Sequence, residues 1–276
     1  MVIVNKRYSG NENFTTRSKV ENPFSPSPAD EQILQDKSLD YRVLNMTVNP
    51  FMDASTSYFH KSIGGYHGAK IRRYQELFDY HISKNNMEVM NMLNTKYFIA
   101  NDQNNRPVAQ FNPGALGNAW FVKGYKVVPN PDEEIKALTK FNPRDTLIVD
   151  KRFADELKSY VSGRDALDSI KLTDYKPNHL VYNYNSKNNG LAVFSEIYYP
   201  KGWNATVDGK PASHFRVNYI LRGMVLPAGY HKVEFDFHPS VYYTGEKISM
   251  ASSIILVLLI LGIAGFEIYR SVRTEK

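Results

Sequence analysis

Apolar residues along this chain recur with three different periods, and the changes of period divide it. From Ile248 to Tyr269 they run almost without interruption, ISMASSIILVLLILGIAGFEIY. At about 1.5 Å per residue this run makes a helix of about 33 Å, enough to cross a hydrocarbon layer of about 30 Å. Tyr242 and Tyr243 stand at one end and Phe266 and Tyr269 at the other, as aromatic belts do. Glu267 is the one charge inside, close enough to the end to reach the headgroups. Before this run, from residue 166 on, apolar positions come in short β-rich stretches: Ser169–Tyr175, His179–Asn185, Leu191–Tyr199, Trp203–Val207, His214–Ile220, Gly223–Leu226 and Tyr230–Phe237. Turn residues end each of them, and Asp208-Gly209 is a hairpin signal because the tight turn needs positive φ. Seven strands in about seventy residues predict an antiparallel sandwich.

Upstream, the pattern alternates between helix and strand. Ser27-Pro28-Ala29-Asp30 reads as a helix start, with Ser as N-cap and Asp three residues on. Tyr41–Leu44 is a predicted strand. Ile71, Tyr74, Leu77, Phe78 and Ile82 share one helical face, and a second short helix carries Val89, Met90 and Leu93. Strands are predicted at Lys96–Ala100, from Ala119 through Val128 and at Asp145–Val149, and helices from Pro131 and over Phe153–Val161. The expected fold class is α+β. Residues 1–37 form an extended segment with a short helix, and 38–165 a mixed α/β part. The β-sandwich occupies 166–245, the transmembrane helix 246–270 and a short tail 271–276.

Composition sharpens this picture in three ways. Apolar residues at 42% and charged ones at 22% fit a folded core and exclude a multi-spanning bundle within these residues. The 34 Lys and Arg against 28 Asp and Glu are spread along the chain, a poor basis for nucleic-acid binding. With no cysteine, disulfides, thiol catalysis and Cys-type zinc sites are excluded. Arg270, Arg273 and Lys276 after the apolar run place the C-terminus in the cytoplasm and residues 1–247 outside, with Lys232 and Lys247 weighing against. The N-terminus lacks the pattern of a signal peptide, so export requires something upstream; the other reading is a tail-anchored cytosolic domain.

Several strings, in order and spacing, resemble the C-terminal extracytoplasmic region of the YfhO family of bacterial membrane proteins. They are Val4-Asn-Lys-Arg-Tyr8, Ser27-Pro-Ala-Asp30, Tyr41-Arg-Val-Leu-Asn45, Ser62-Ile-Gly-Gly-Tyr66, Arg72-Arg-Tyr-Gln75 and Leu93-Asn-Thr-Lys-Tyr97. In the sandwich they are Ser195-Glu-Ile-Tyr-Tyr-Pro200 with Gly202-Trp203, Val207-Asp-Gly209 and Leu226-Pro-Ala-Gly-Tyr-His231. The resemblance implies the last ectodomain and last helix of a large protein similar to GT-C glycosyltransferases, which take sugars from polyprenyl-phosphate donors at the outer face of the cytoplasmic membrane. The essential acidic residue of such enzymes lies in the first outer loop, so no catalytic residue carries over onto this chain. The expected role is a non-catalytic accessory ectodomain and anchor in cell-envelope glycan or teichoic-acid-type glycosylation. The rival reading is a free-standing membrane-anchored module that binds carbohydrate or protein. Expected partners are the lipid bilayer, upstream transmembrane helices and a lipid-linked sugar or acceptor glycan. No cofactor is expected.

Two groups of residues carry candidate chemistry. Gly64, Gly65 and Gly68 can bring backbone N–H groups near an anion, with Lys70, Arg72 and Arg73 and a helix start adding positive charge; a lipid phosphate is the natural target. The competing reading is a tight loop with solvated or paired basic side chains. Tyr198, Tyr199 and Trp203 can stack on a sugar ring, although alternating aromatics in a strand more often face a core. Glu196 with Asp208 as a glycosidase pair is disfavoured, since Asp208 belongs to the Asp-Gly turn. His60, His67, His214, His231 and His238 lack metal-ligand spacing, and Ser195 lacks a nucleophile elbow. The sequons at Asn13, Asn45 and Asn204 carry no weight in an asparagine-rich chain.

Overall fold

The computed structural model describes residues 14–66 and 68–274; Val4–Tyr8, Asn13, His67 and Lys276 lie outside them. A five-residue helix α1 (Arg17–Glu21) lies in the stretch expected to be extended, and it buries no residue. Helix α2 (Pro28–Ile33) opens as its sequence predicts. The Ser27 Oγ accepts the Asp30 N–H at 3.2 Å while Asp30 Oδ2 accepts the Ser27 N–H at 2.8 Å, a reciprocal capping box. Its Ala29 and Ile33 pack on Val43 and Ile99 of strands β1 (Arg42–Asn45) and β2 (Thr95–Asn101). These two strands are parallel, and β3 (Pro107–Phe111) lies antiparallel on the far side of β2. β3 was not among the predicted strands; Pro107 is tolerated there because it begins an edge strand.

Helix α3 (Ser55–Phe59) precedes α4 (Arg72–Tyr80), in which Leu77 is fully buried with Tyr74 and Phe78 packed beside it; of the rest of the predicted face, Ile82 is buried in the 3-10 turn that follows and Ile71, the N-cap, is exposed. Helix α5 (Met87–Met92) buries Val89, Met90 and Met92 in the same core. The stretch expected as one strand over 119–128 divides into β4 (Ala119–Val122) and β5 (Gly124–Val128). Between them the Lys123 and Gly124 amides both turn to the Asp145 carbonyl, at 2.8 and 3.2 Å, and redirect the chain. β5 then pairs in parallel with β6 (Thr146–Asp150) across helix α6 (Pro131–Ala137). A 3-10 turn at Lys151–Leu157 stands where a short helix was expected over Phe153–Val161.

The remaining strands are β7 (Ser169–Lys176), β8 (His179–Ser186), β9 (Gly190–Ile197), β10 (Trp203–Val207), β11 (Lys210–Ala212), β12 (Phe215–Val217), β13 (Leu221–Leu226) and β14 (Gly229–Phe237). Together with β4 they form a five-stranded sheet, β11-β10-β14-β8-β7, facing a four-stranded one, β12-β13-β9-β4, all antiparallel. Strand period explains the core between them. Leu180, Tyr182 and Tyr184 of β8 and Val233 and Phe235 of β14 point inward, and the residues between point out. Tyr182, Phe194 and Phe235 meet edge-on, with ring centroids 4.9, 5.0 and 6.1 Å apart, each contact worth about 0.5–1.5 kcal/mol beyond burial.

The four-stranded sheet is covered on both faces. Ala192 and Phe194 of β9 face the sandwich core, while Leu191 and Val193 face the core built by α4, α5, α6 and β6. β9 is therefore buried from Gly190 to Ser195, which accounts for the apolar run Leu191–Phe194.

Two turns show how the sandwich is pinned. Asp208 (φ 49°) and Gly209 (φ 76°) form the two-residue turn that joins Val207 to Lys210, as Asp-Gly predicts. The stretch His214–Ile220, expected as one strand, instead turns after Val217, and Asn218 (φ 49°) and Tyr219 (φ 70°) are both left-handed. A left-handed tyrosine is strained, and its surroundings hold it. Its N–H donates to Glu134 Oε1 at 3.0 Å, Asn218 N–H donates to the Ile148 carbonyl at 2.7 Å, and Tyr219 Oη donates to Glu76.

Helix α7 (Ser240–Thr274) follows β14 after only His238 and Pro239. It starts ahead of the predicted span, taking in residues 240–245 that were expected to belong to the sandwich. It is long and apolar enough to cross a membrane, and none of its apolar window is buried against the rest of the chain. The architecture is α+β with one C-terminal helix of membrane-spanning character.

Candidate functional site

The glycine-rich loop follows from contacts with its own neighbourhood. Gly64 N–H donates to Ser62 Oγ at 3.0 Å and Gly65 N–H to the Pro50 carbonyl at 2.6 Å, so both amides have partners inside the loop. A Cβ on Gly64 would lie 1.8 Å from the Pro50 oxygen, and Gly65 has φ 139°; both positions require glycine for packing and conformation. Around Gly68 there is open space.

The three basic side chains diverge. Lys70 Nζ sits 4.3 Å over the Phe51 ring, and Arg72 points outward to Glu76 at 2.9 Å. Arg73 turns inward, its guanidinium 4.6 Å over the Tyr219 ring, with Nη1 buried and without a hydrogen-bond partner. A cleft of about 280 Å³ opens beside the loop, lined among others by Phe51, Gly64, Lys70 and Tyr74. Burial pushes the Tyr74 phenol up to about 12, and its Oη donates to the Ile63 carbonyl at 2.6 Å.

Behind Arg73 lies a buried charge cluster. Arg216 donates to Glu134 at 2.8 Å and stands 3.6 Å from Asp150, which Arg152 also holds at 2.7 Å. Burial raises the Glu134 carboxyl, and Arg216 pulls it back down. Burial together with the neighbouring Arg216 lowers Arg73. Arg73 is the one residue of the predicted loop set that reaches this cluster.

A second cluster ties β1 to β9. Arg42 donates to the Leu93 carbonyl at 2.7 Å, to Ser195 Oγ at 3.0 Å and to the Ser195 carbonyl at 2.9 Å. Ser195 Oγ in turn donates to the Met92 carbonyl at 2.9 Å, a structural pin and not a nucleophile. Beside them Glu196 is half-buried, its carboxyl raised by burial and partly restored by Arg42 and Arg222. Arg222 is fully buried, packed 4.1 Å over Trp203 and 5.1 Å over Phe235. Sequence reasoning passed over Arg42, Arg216 and Arg222. The available signal was an arginine at an inward position of an otherwise apolar strand, as in Leu221-Arg-Gly-Met-Val-Leu226.

Of the aromatic trio, two are half-buried against protein neighbours. Trp203 has Arg222 on its face and Phe237 at 5.3 Å, and Tyr198 sits between Phe153 at 6.1 Å and His214 at 5.5 Å. Tyr199 is exposed. The histidines have protein partners: His60 meets Asp30 at 2.9 Å, His214 the Trp203 carbonyl at 3.1 Å and His231 Asp208 at 2.6 Å, while His238 stacks on Tyr243 at 4.1 Å. No cluster of three or more potential metal ligands occurs among the described residues. Asp208 Oδ1 accepts the Lys232 N–H at 2.9 Å within its turn.

The largest apolar opening lies where the sandwich meets α7. A groove of about 950 Å³ runs between the Tyr199–Gly202 loop and the start of the helix, lined by Phe237, Pro239, Tyr242 and Tyr243 on one side and Tyr199 and Lys201 on the other. Among the described residues Lys201 forms no ion pair, and it is exposed.

Comparison with known proteins gives one match. No curated protein and no solved structure is significantly similar to the chain. The family described as "Bacterial membrane protein YfhO" matches residues 156–249, which take in β7 to β14 and the first turns of α7. Over residues 156–249 the sandwich and its passage into the apolar helix are thus similar to a bacterial membrane-protein family, which fits a membrane-associated role.

Proposed function

We propose that the chain is the extracytoplasmic accessory domain and terminal anchor of a GT-C-like glycosyltransferase that uses a polyprenyl-phosphate-linked sugar in the cell envelope. In this reading residues 1–247 lie outside the cytoplasmic membrane and the basic tail inside. The observation that carries it is the junction: the family match crosses from sandwich into helix, so the matched unit is a folded head running into a helix of membrane-spanning character. The internal partners of Ser195, Asp208 and the histidines support a role without catalysis in this part of the protein. The head would cap upstream helices and help orient the lipid-linked sugar or acceptor glycan, with Lys70, Arg72 and Arg73 beside the glycine-rich loop as the candidate cations.

The test uses a tag after Lys276 in the native cells. An apparent mass far above 31.6 kDa supports one end of a multi-spanning transferase. A band near 31.6 kDa refutes that reading and leaves a free-standing membrane-anchored binding module. Protease added to intact spheroplasts trims the head if it is outside and spares it if it is cytosolic. In the full protein, replacing Lys70, Arg72 and Arg73 together by alanine is expected to reduce sugar transfer with the fold retained; unchanged transfer removes the anion site.

A further inference from the structure

The depth of the groove beneath the sandwich follows from helix geometry. Centring Ile248–Tyr269 on the bilayer places Tyr243 about 23 Å and Tyr242 about 25 Å from the midplane, at about 1.5 Å per residue. The headgroup layers reach about 20–22 Å from the midplane. The groove thus opens onto the outer rim of the headgroups, on whichever side of the membrane the head lies. Its walls are aromatic and apolar, Tyr199, Phe237, Pro239, Tyr242 and Tyr243, the side chains that favour the interface. Its one cation is Lys201, exposed and without an acidic partner among the described residues, and long enough to reach down to a phosphate. The nearby acid Asp236 is engaged by His179 at 2.6 Å. Shape, depth and charge all fit one occupant.

We propose that this groove holds the headgroup of an anionic phospholipid of the surrounding bilayer, its phosphate at Lys201 and the head alcohol outward of the phosphate against Tyr199, Phe237 and Tyr242. The bound lipid would fill the gap beneath the loop and fix the head against the membrane surface. The proposal rests on α7 spanning the bilayer, and the test separates the two.

The full chain is reconstituted into vesicles of phosphatidylglycerol and phosphatidylcholine in equal amounts. Flotation first reports insertion; failure to float refutes the membrane reading itself. For protein that floats, native mass spectrometry then counts the retained lipid. Wild type is expected to retain phosphatidylglycerol over phosphatidylcholine, and Lys201→Glu to lose about fivefold or more of that retention while still floating. Lys210→Glu, the same charge reversal on the exposed β10–β11 hairpin, is the control and keeps its lipid. Equal retention of the two lipids, no loss in Lys201→Glu, or equal loss in Lys210→Glu overturns the proposal. So does displacement by millimolar inorganic phosphate, which would assign the groove to a soluble anion.

Discussion

The pin between β1 and β9 lends itself to a quantitative test. Replacing Arg42 by alanine removes three charge-assisted hydrogen bonds, to the Leu93 carbonyl, Ser195 Oγ and the Ser195 carbonyl. It also leaves Glu196 without the first of its compensating cations. A hydrogen bond to a charged group contributes about 1.5–3 kcal/mol net, three from one guanidinium do not add, and each acceptor left buried and unpaired costs about 1–3 kcal/mol. The expected loss for Arg42→Ala is therefore about 3–5 kcal/mol. Lysine keeps the charge but not the fork, so Arg42→Lys should lose roughly half as much.

The partner variant works the other way. Burial disfavours the charged form of Glu196, so Glu196→Gln alone should be close to neutral, and Arg42→Ala/Glu196→Gln should lose about 1–2 kcal/mol less than the single effects sum to. The pH dependence has a fixed sign. With the folded value raised above 4.5, the contribution of Glu196 is full below that value and declines as pH rises through the folded one; Glu196→Gln should flatten that window. The assay is urea unfolding of the full chain in detergent, followed by the two tryptophans. Trp120 and Trp203 sit in the two facing sheets and report them together. A loss below about 1 kcal/mol for Arg42→Ala, in the range of ordinary surface changes, would refute the pin.

Other consequences are equally direct. Gly64→Ala should destabilise by about 2 kcal/mol or more in the same unfolding assay, because its Cβ would fall 1.8 Å from the Pro50 oxygen and the loop must move. In proton NMR titrations His231 should titrate above 6.5, held up by its bond to Asp208, and return toward 6.5 in Asp208→Asn, whereas burial should keep His214 below 6.5. Leu258→Asp places a charge at the centre of α7, at a cost of about 2.5–3.5 kcal/mol for insertion, and should sharply reduce the floating fraction.

Much of the fold was legible because its signals are local. The Ser27–Asp30 capping box, the Asp208-Gly209 turn, the face of α4 and the apolar run of α7 are each written within a few residues. The misreadings arose where distant partners decide. Asn218 and Tyr219 turn left-handed because Glu134 and Ile148, far away in sequence, receive and fix the chain there. The split of the 119–128 stretch depends on the Asp145 carbonyl, which periodicity does not reveal. The candidate loop illustrates the same limit. Its glycines and basic residues are evident in the sequence, but only the fold shows Gly64 and Gly65 bonded inward and Arg73 turned away from Lys70 and Arg72. The juxtamembrane groove joins residues near 200 to residues near 240, and no window of sequence contains both.

Strand β9 is one wall shared by two rooms. In β8 and β14 a substitution at an outward position meets water, and selection there is relaxed at every second residue. In β9 neither parity has that freedom, because Leu191 and Val193 serve one interior and Ala192 and Phe194 the other. Variation in this strand is thus constrained by two volumes at once, and an enlargement tolerated by one interior can be vetoed by its neighbour. Its residues from Gly190 to Ser195 should therefore drift the least among the strands of the head, even with no ligand to recognise.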